Sequence, residues 1–249
     1  MSRLVWHAVG ERTFEVGVDR GVLYIQGSPG VPWIGLIAVN EQPVGGDVTP
    51  YYLDGIKYIN HVANEEFEAT IEAYTYPEEF AQCDGTLSVA NGLFATQQPK
   101  KSFGLSYRTK VGNDVDGIDH AYKIHLVYNA TAAPTQKANN SLSNEIDPFN
   151  FNWAIFTRPP TMQGVKPTAH FIIDSRDVPI DLLKTVEDIL YGSADNNPRL
   201  PSVPELQFIF GEYQTSVFDA GFLTDTYFNE FDAGVVPEPQ TSTIDGGSP

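Results

Sequence analysis

Residues 66–73 read Glu66-Phe67-Glu68-Ala69-Thr70-Ile71-Glu72-Ala73. A pleated strand sends successive side chains to opposite faces, so Phe67, Ala69, Ile71 and Ala73 share one side while Glu66, Glu68, Thr70 and Glu72 share the other. The pattern predicts a half-buried strand with one core face and one acidic face. The same period of two recurs at Tyr122, Ile124, Leu126 and Tyr128, at Phe151, Trp153 and Ile155, and at Ala169, Phe171 and Ile173. Weaker strand candidates lie near 12–18, 21–26, 32–39, 51–59, 102–111 and 205–210. Asp19-Arg20-Gly21, Gly45-Gly46-Asp47, Gly112-Asn113-Asp114 and Asp116-Gly117 are expected to reverse the chain between strands. Connections this short favour antiparallel pairing over helical crossovers.

One helix is well signalled. In 177–191, Val178, Leu182, Leu183, Val186, Ile189 and Leu190 fall at helical spacing, with Asp177 as the expected cap, Pro179 in the first turn and Gly192 as the stop. A helical turn is expected at 77–83, opened by Pro77. Stretches 84–101, 129–149 and 192–204 read as long loops, and loops of that length are more often contact surfaces than accidents. The expected fold class is therefore mainly β: an antiparallel sandwich or barrel-like domain over 1–212 with one flanking helix at about 177–191. Residues 213–249 read as an acidic C-terminal extension, aromatic through Phe231 and solvated from Val236 onward.

Composition narrows the function classes. With 15 Lys and Arg against 32 Asp and Glu, the formal charge is -17, and such a surface repels phosphate and anionic headgroups. Tight nucleic-acid or membrane binding is not expected. After Arg199 there is no Lys or Arg, while 200–249 carry eight acids and eight aromatics. Hydrophobic residues at 41% supply ample core material for 249 residues. The single cysteine, Cys83, rules out an intrachain disulfide and favours a reducing origin. The start, Met1-Ser2-Arg3-Leu4-Val5-Trp6-His7, lacks an apolar leader pattern and reads as a mature cytosolic start.

Candidate chemistry is sparse. His120 and His125, five apart on a strand, fall on opposite faces and are not expected to share an ion. The acids of 113–119 lack the spacing of a calcium loop and fit a hairpin turn. Glu65-Glu66 and Glu78-Glu79 are adjacent pairs without a partner across a cleft, as glycosidase chemistry would require. No G-x-S-x-G elbow or phosphate-binding Gly-rich loop occurs, Cys83 reads as a buried thiol, and Lys100-Lys101 reads as loop charge. No catalytic, cofactor-binding or metal-binding residue is expected, and the residues argue for a binding or structural protein.

Tyr51-Tyr52-Leu53-Asp54-Gly55-Ile56-Lys57-Tyr58, the run from Phe67 to Phe80, and Cys83-Asp84-Gly85 resemble the major tail (tail tube) proteins of long-tailed bacteriophages, actinobacteriophage type. Further blocks follow in order at Phe103–Thr109, Gly112–Asp114, Tyr122–Tyr128, Lys166–Phe171 and Leu190–Gly192, so the resemblance spans about 51–192. It implies a non-enzymatic virion protein, made in the host cytoplasm, that stacks as hexameric rings into the tube. It also implies contacts with tape measure, tail tip and tail terminator proteins, and DNA that passes through the lumen on ejection without tight binding. No cofactor is implied. Glu68 and Glu72 are the expected lumen-lining residues, and at least one of 40–50, 84–101 and 129–149 is expected to reach the adjacent ring. The alternative is a cytosolic β-sandwich carbohydrate-binding module or glycosidase using acidic and aromatic groups on one face.

Overall fold

The computed structural model describes residues 4, 6, 8–133, 135–137, 139, 141, 148–162 and 164–219, the last eight as helix backbone. The strands are β1 (Phe14–Ile25), β2 (Val31–Pro32), β3 (Leu36–Glu41), β4 (Val44–Gly45), β5 (Val48–Leu53), β6 (Ile56–Val62), β7 (Glu65–Glu66) and β8 (Glu68–Ala73). A 3-10 turn at Glu78–Phe80 leads into α1 (Ala81–Asp84), followed by β9 (Leu87–Ala90), β10 (Leu93–Ala95), β11 (Phe103–Asn113), β12 (Gly117–Ala132), β13 (Phe151–Thr157) and β14 (His170–Asp174). Two longer helices close the order, α2 (Ile180–Tyr191) and α3 (Val203–Asp219). The chain divides into two compact units, Met1–Pro204 and Glu205–Pro249. The extension expected from 213 belongs to the second, and its residues 220–249 lie outside the described residues.

The first unit is built on an antiparallel sheet ordered β2-β1-β11-β12-β13-β8-β3, with β14 also pairing β12. The sheet curls without closing into a barrel. Gly21 marks the closest approach of its ends: a Cβ there would sit 2.7 Å from Leu36 Cδ2 and 3.3 Å from Trp33 Cβ. Trp33 ties the curl together, its backbone N–H donating to the Gly21 carbonyl (2.8 Å) and its indole N–H to the Thr75 carbonyl (3.1 Å). The concave side is filled by Leu23, Ile25, Ala69, Ile71, Ala73, Leu105, Val127 and Ile155 around Trp33, Phe80, Phe103 and Trp153. Those rings meet tilted or edge to face, as their quadrupoles favour.

The convex side has two characters. Over β1, β11 and β12 it is covered by α2, whose Leu182, Leu183, Val186 and Leu190 are buried. There the strands lose their alternation, and Val22–Ile25, Phe103–Tyr107 and Ile124–Tyr128 are buried on both faces. Tyr24 OH donates to the Leu190 carbonyl (2.8 Å) and Tyr122 OH to Glu187 (2.8 Å), so the helix is fastened by polar contacts as well as packing. β8 keeps strict alternation because no helix among the described residues covers its convex face: Ala69, Ile71 and Ala73 are buried, Glu68, Thr70 and Glu72 partly exposed. Phe67 is only partly buried, because the strand breaks between β7 and β8 at this residue.

Five expectations about elements are corrected. Asp19-Arg20-Gly21 is a bulge inside β1, because the runs on both sides pair with the same strand, β11. Residues 51–59 form a hairpin turning at Asp54-Gly55, and the 84–101 stretch contains the β9–β10 hairpin turning at Asn91-Gly92. Residues 205–210 lie in α3, since Leu206-Gln207-Phe208-Ile209-Phe210 suits either period and Pro204 with Glu205 favours a helix start. The α2 N-cap is Pro179 with no side-chain cap, so Asp177 does not cap it, while Gly192 does end the helix at a positive φ of 86°.

Candidate functional site

Two surfaces and one side-chain cluster emerge from this architecture. The first surface is the uncovered convex face around β8. Register places Asn40 beside Thr70, Asn152 beside Glu72 and Phe156 beside Glu68. Glu72 accepts hydrogen bonds from Asn40 (2.8 Å) and Asn150 (3.4 Å), so its carboxylate is held flat against an amide-rich sheet. Glu68 and Glu72 thus share this open face.

The second surface is an arm. Beyond β3 and β8 the two chains continue as β4 paired with β7, then as β5 paired with β6, and Gln42, Gly46 and Ala63 carry the ladder between them. At 3.3–3.4 Å per residue, 42–53 extend about 40 Å from the sheet. Asp54 (φ 50°) and Gly55 (φ 79°) supply the two left-handed positions of a tight hairpin turn. Every residue of β5 and β6 is exposed. Directly paired residues share a face, so Tyr51, Ile59, Leu53 and Ile56 form one apolar stripe, exposed at 54–73%. A two-stranded hairpin without cover is marginal in water. The 40–50 stretch, one of the three expected to reach an adjacent ring, is the outgoing base of this arm. The β9–β10 hairpin likewise exposes Leu87, Val89, Leu93 and Phe94.

The cluster lies at the rim of the concave side, where Glu41 ends β3 just before the arm. His125 Nδ1 lies 3.0 Å from His170 Nε2 and 3.4 Å from Glu41 Oε1. Tyr107 OH donates to the same Glu41 oxygen (2.7 Å), Thr109 Oγ1 is 3.0 Å from His125 Nε2, and the Tyr107 and His125 rings stack at 4.5 Å. Phe67 lies against His170, ring centroids 4.3 Å apart. Burial, reinforced by His170, pulls His125 down to about 4, and burial lowers His170 as well. The spacing set His120 and His125 on opposite faces, and the structure keeps them apart. His120 bonds Asp116 (2.9 Å) at the β11–β12 turn, and the partners of His125 come from strands far away in sequence.

The remaining candidates take ordinary places. Glu65 and Glu66 form β7, and Glu78 and Glu79 open the 3-10 turn. Cys83 is fully buried in the core and its thiol is pushed up to about 12 by burial, which makes it a poor nucleophile. Lys100 donates to the Ala132 carbonyl (2.8 Å), so it tethers the β9–β10 segment to β12. Among the described residues no helix is long and apolar enough to cross a membrane.

No family model matches the chain, and no curated protein matches it. Among solved structures it is similar to a chain of the anti-feeding prophage (AFP) baseplate, 8% identical with a TM-score of 0.36, covering 68% of this chain and 97% of that one. It is also similar to the AFP tube-terminating cap (12% identity, TM-score 0.31, 70% and 97% covered). A third likeness is to a PVC sheath-tube complex of an extracellular contractile injection system (15% identity, TM-score 0.31, 68% and 94% covered). At such identities and TM-scores these likenesses do not establish a shared function.

Proposed function

We propose that this chain is a structural, non-enzymatic subunit of a bacteriophage-type tail tube, assembling as stacked hexameric rings that conduct DNA. The observation that carries the reading is the arm, a β hairpin whose apolar stripe has no cover from its own sheet. A second copy of this chain is the occupant that fits. The first block of the tail-tube resemblance, Tyr51–Tyr58, is the tip of that arm, and the curled sheet beside it ends in open edges at β2 and β3. Covering what remains exposed of these four large side chains contributes about 4–7 kcal/mol before the entropy cost of association. A contact between two different patches, repeated by rotation, closes into a ring, and repeated along an axis gives a tube.

In this reading the uncovered face around β8 turns to the channel, with Glu68 and Glu72 repeated around each ring. Carboxylate rings repel the phosphates of passing DNA, whereas cations would bind them and retard ejection. Tape measure, tail tip and tail terminator proteins are the partners, and the virion tail is the location. Sedimentation velocity of the full chain across a concentration series tests the proposal. Species of six copies and larger are expected, alone or with tip and tape measure proteins. A monomer under all these conditions that instead binds glycans would support the carbohydrate-binding alternative.

A further inference from the structure

The trio Glu41, His125 and His170 needs an account of its own. Its ligand atoms all lie within 4.8 Å of one another, and the residues come from three strands, β3, β12 and β14. Two imidazoles facing one carboxylate is the donor set that zinc takes where it keeps an open coordination position. Zinc to ligand distances of about 2.0–2.1 Å place tetrahedral donors about 3.3 Å apart. The 3.0 Å between His125 Nδ1 and His170 Nε2 and the 3.4 Å from His125 Nδ1 to Glu41 Oε1 bracket that spacing, while the His170–Glu41 edge is longer, 3.9 Å from Nδ1 to Oε2, so an ion would draw these two together.

The surroundings point the same way. With Thr109 Oγ1 accepting from His125 Nε2–H, the tautomer leaves Nδ1 as a lone pair directed at His170 and Glu41. Tyr107 anchors the Glu41 carboxylate, the kind of outer hydrogen bond that orients a ligating group. Both histidine side chains are mostly buried, 6% and 11% exposed. Entry is open: Glu41 keeps 37% of its side chain exposed, and His170 lines a groove at the base of the arm with Phe67, Lys166 and Thr168.

We propose that Glu41, His125 and His170 form a zinc-type divalent-cation site, with a water or a neighbouring group completing the coordination. A bound ion would join the end of β3 to β12 and β14 and so stiffen the base of the arm. The proposal stands independently of the tail-tube reading.

The test uses the full chain, free of any affinity tag and stripped with chelator, in equilibrium dialysis against micromolar zinc with metal analysis of the protein. One zinc per chain and a raised melting temperature are expected. Cobalt should give the visible absorption of a low-coordinate ion. Glu41→Gln, which alters a partly exposed side chain, and His170→Gln should each weaken binding more than tenfold. Tyr107→Phe, acting through Glu41, should weaken it by about 10-fold. His120→Asn, at the hairpin turn, should bind as wild type does. Circular dichroism establishes that each variant is folded. A wild-type chain that retains no zinc, or zinc retained equally by folded Glu41→Gln and His170→Gln, would overturn the proposal.

Discussion

Arg108 shows how single residues hold the convex side. Its guanidinium donates from Nε and Nη2 to the two carboxylate oxygens of Asp19, each at 2.7 Å, and lies 4.5 Å from the Tyr122 ring. Asp19 sits in the β1 bulge, so this pair also fixes the register of β1 on β11. Only 12% of the Arg108 side chain is exposed, whereas Asp19 keeps a third. Asp19→Asn is therefore expected to cost about 1–2 kcal/mol, the lower part of the range for a charge-assisted pair. The hydrogen bond from Arg108 holds the Asp19 carboxyl below its ordinary value of 3.8, so the unfolded chain takes up that proton more readily. The contribution is complete above 3.8 and is lost as pH falls through the lowered value. Urea midpoints of wild type and variant should thus differ at neutral pH and converge in acid. A gap that stays constant would contradict the ion-pair account. At this scale the core face of β8 was legible from period two: Ala69, Ile71 and Ala73 are buried as the alternation requires, whereas the runs buried on both faces in β1, β11 and β12 do not alternate. The trio of Glu41, His125 and His170 was not legible, because residues 41, 125 and 170 meet only through the curl of the sheet.

Elements were legible where their periodicity was long and their turns decisive. β8, β12, β13, β14 and α2 form where their apolar spacing placed them, although β12 is buried on both faces over Ile124–Tyr128. The two hairpins inside 51–59 and 84–101 were hidden because their strands are exposed and bury no consistent face, although Asp54-Gly55 and Asn91-Gly92 are the dipeptides a tight hairpin turn favours. In the proposed function the arm makes the contact between copies. Replacing Leu53 with Lys and Ile56 with Glu puts opposite charges directly across the hairpin, which supports the pairing while removing half of the apolar stripe. Both positions are exposed, so stability should change by less than about 1 kcal/mol. The double variant should melt with the wild type yet fail to form the large species that wild type forms in sedimentation. Unimpaired assembly would remove the arm from the contact.

For the whole molecule, the described part of the sheet divides into a helix-covered half and a half without a helix over it, a division that suits the proposed ring. The helix-covered half is fully packed within its own chain. Among the described residues, the face around β8 and the arm stay without cover, one charged and the other with an apolar stripe. The net charge of -17 keeps separate copies apart until apolar contact outweighs repulsion, so assembly should strengthen with salt. Cryo-electron microscopy of the particles formed by the concentrated full-length chain tests the central claim most directly. The expected result is a six-fold ring or tube in which residues 48–62 of each copy lie against a neighbour and Glu68 and Glu72 face the channel. Particles that remain single, or rings in which the arm projects free into solvent, would contradict it.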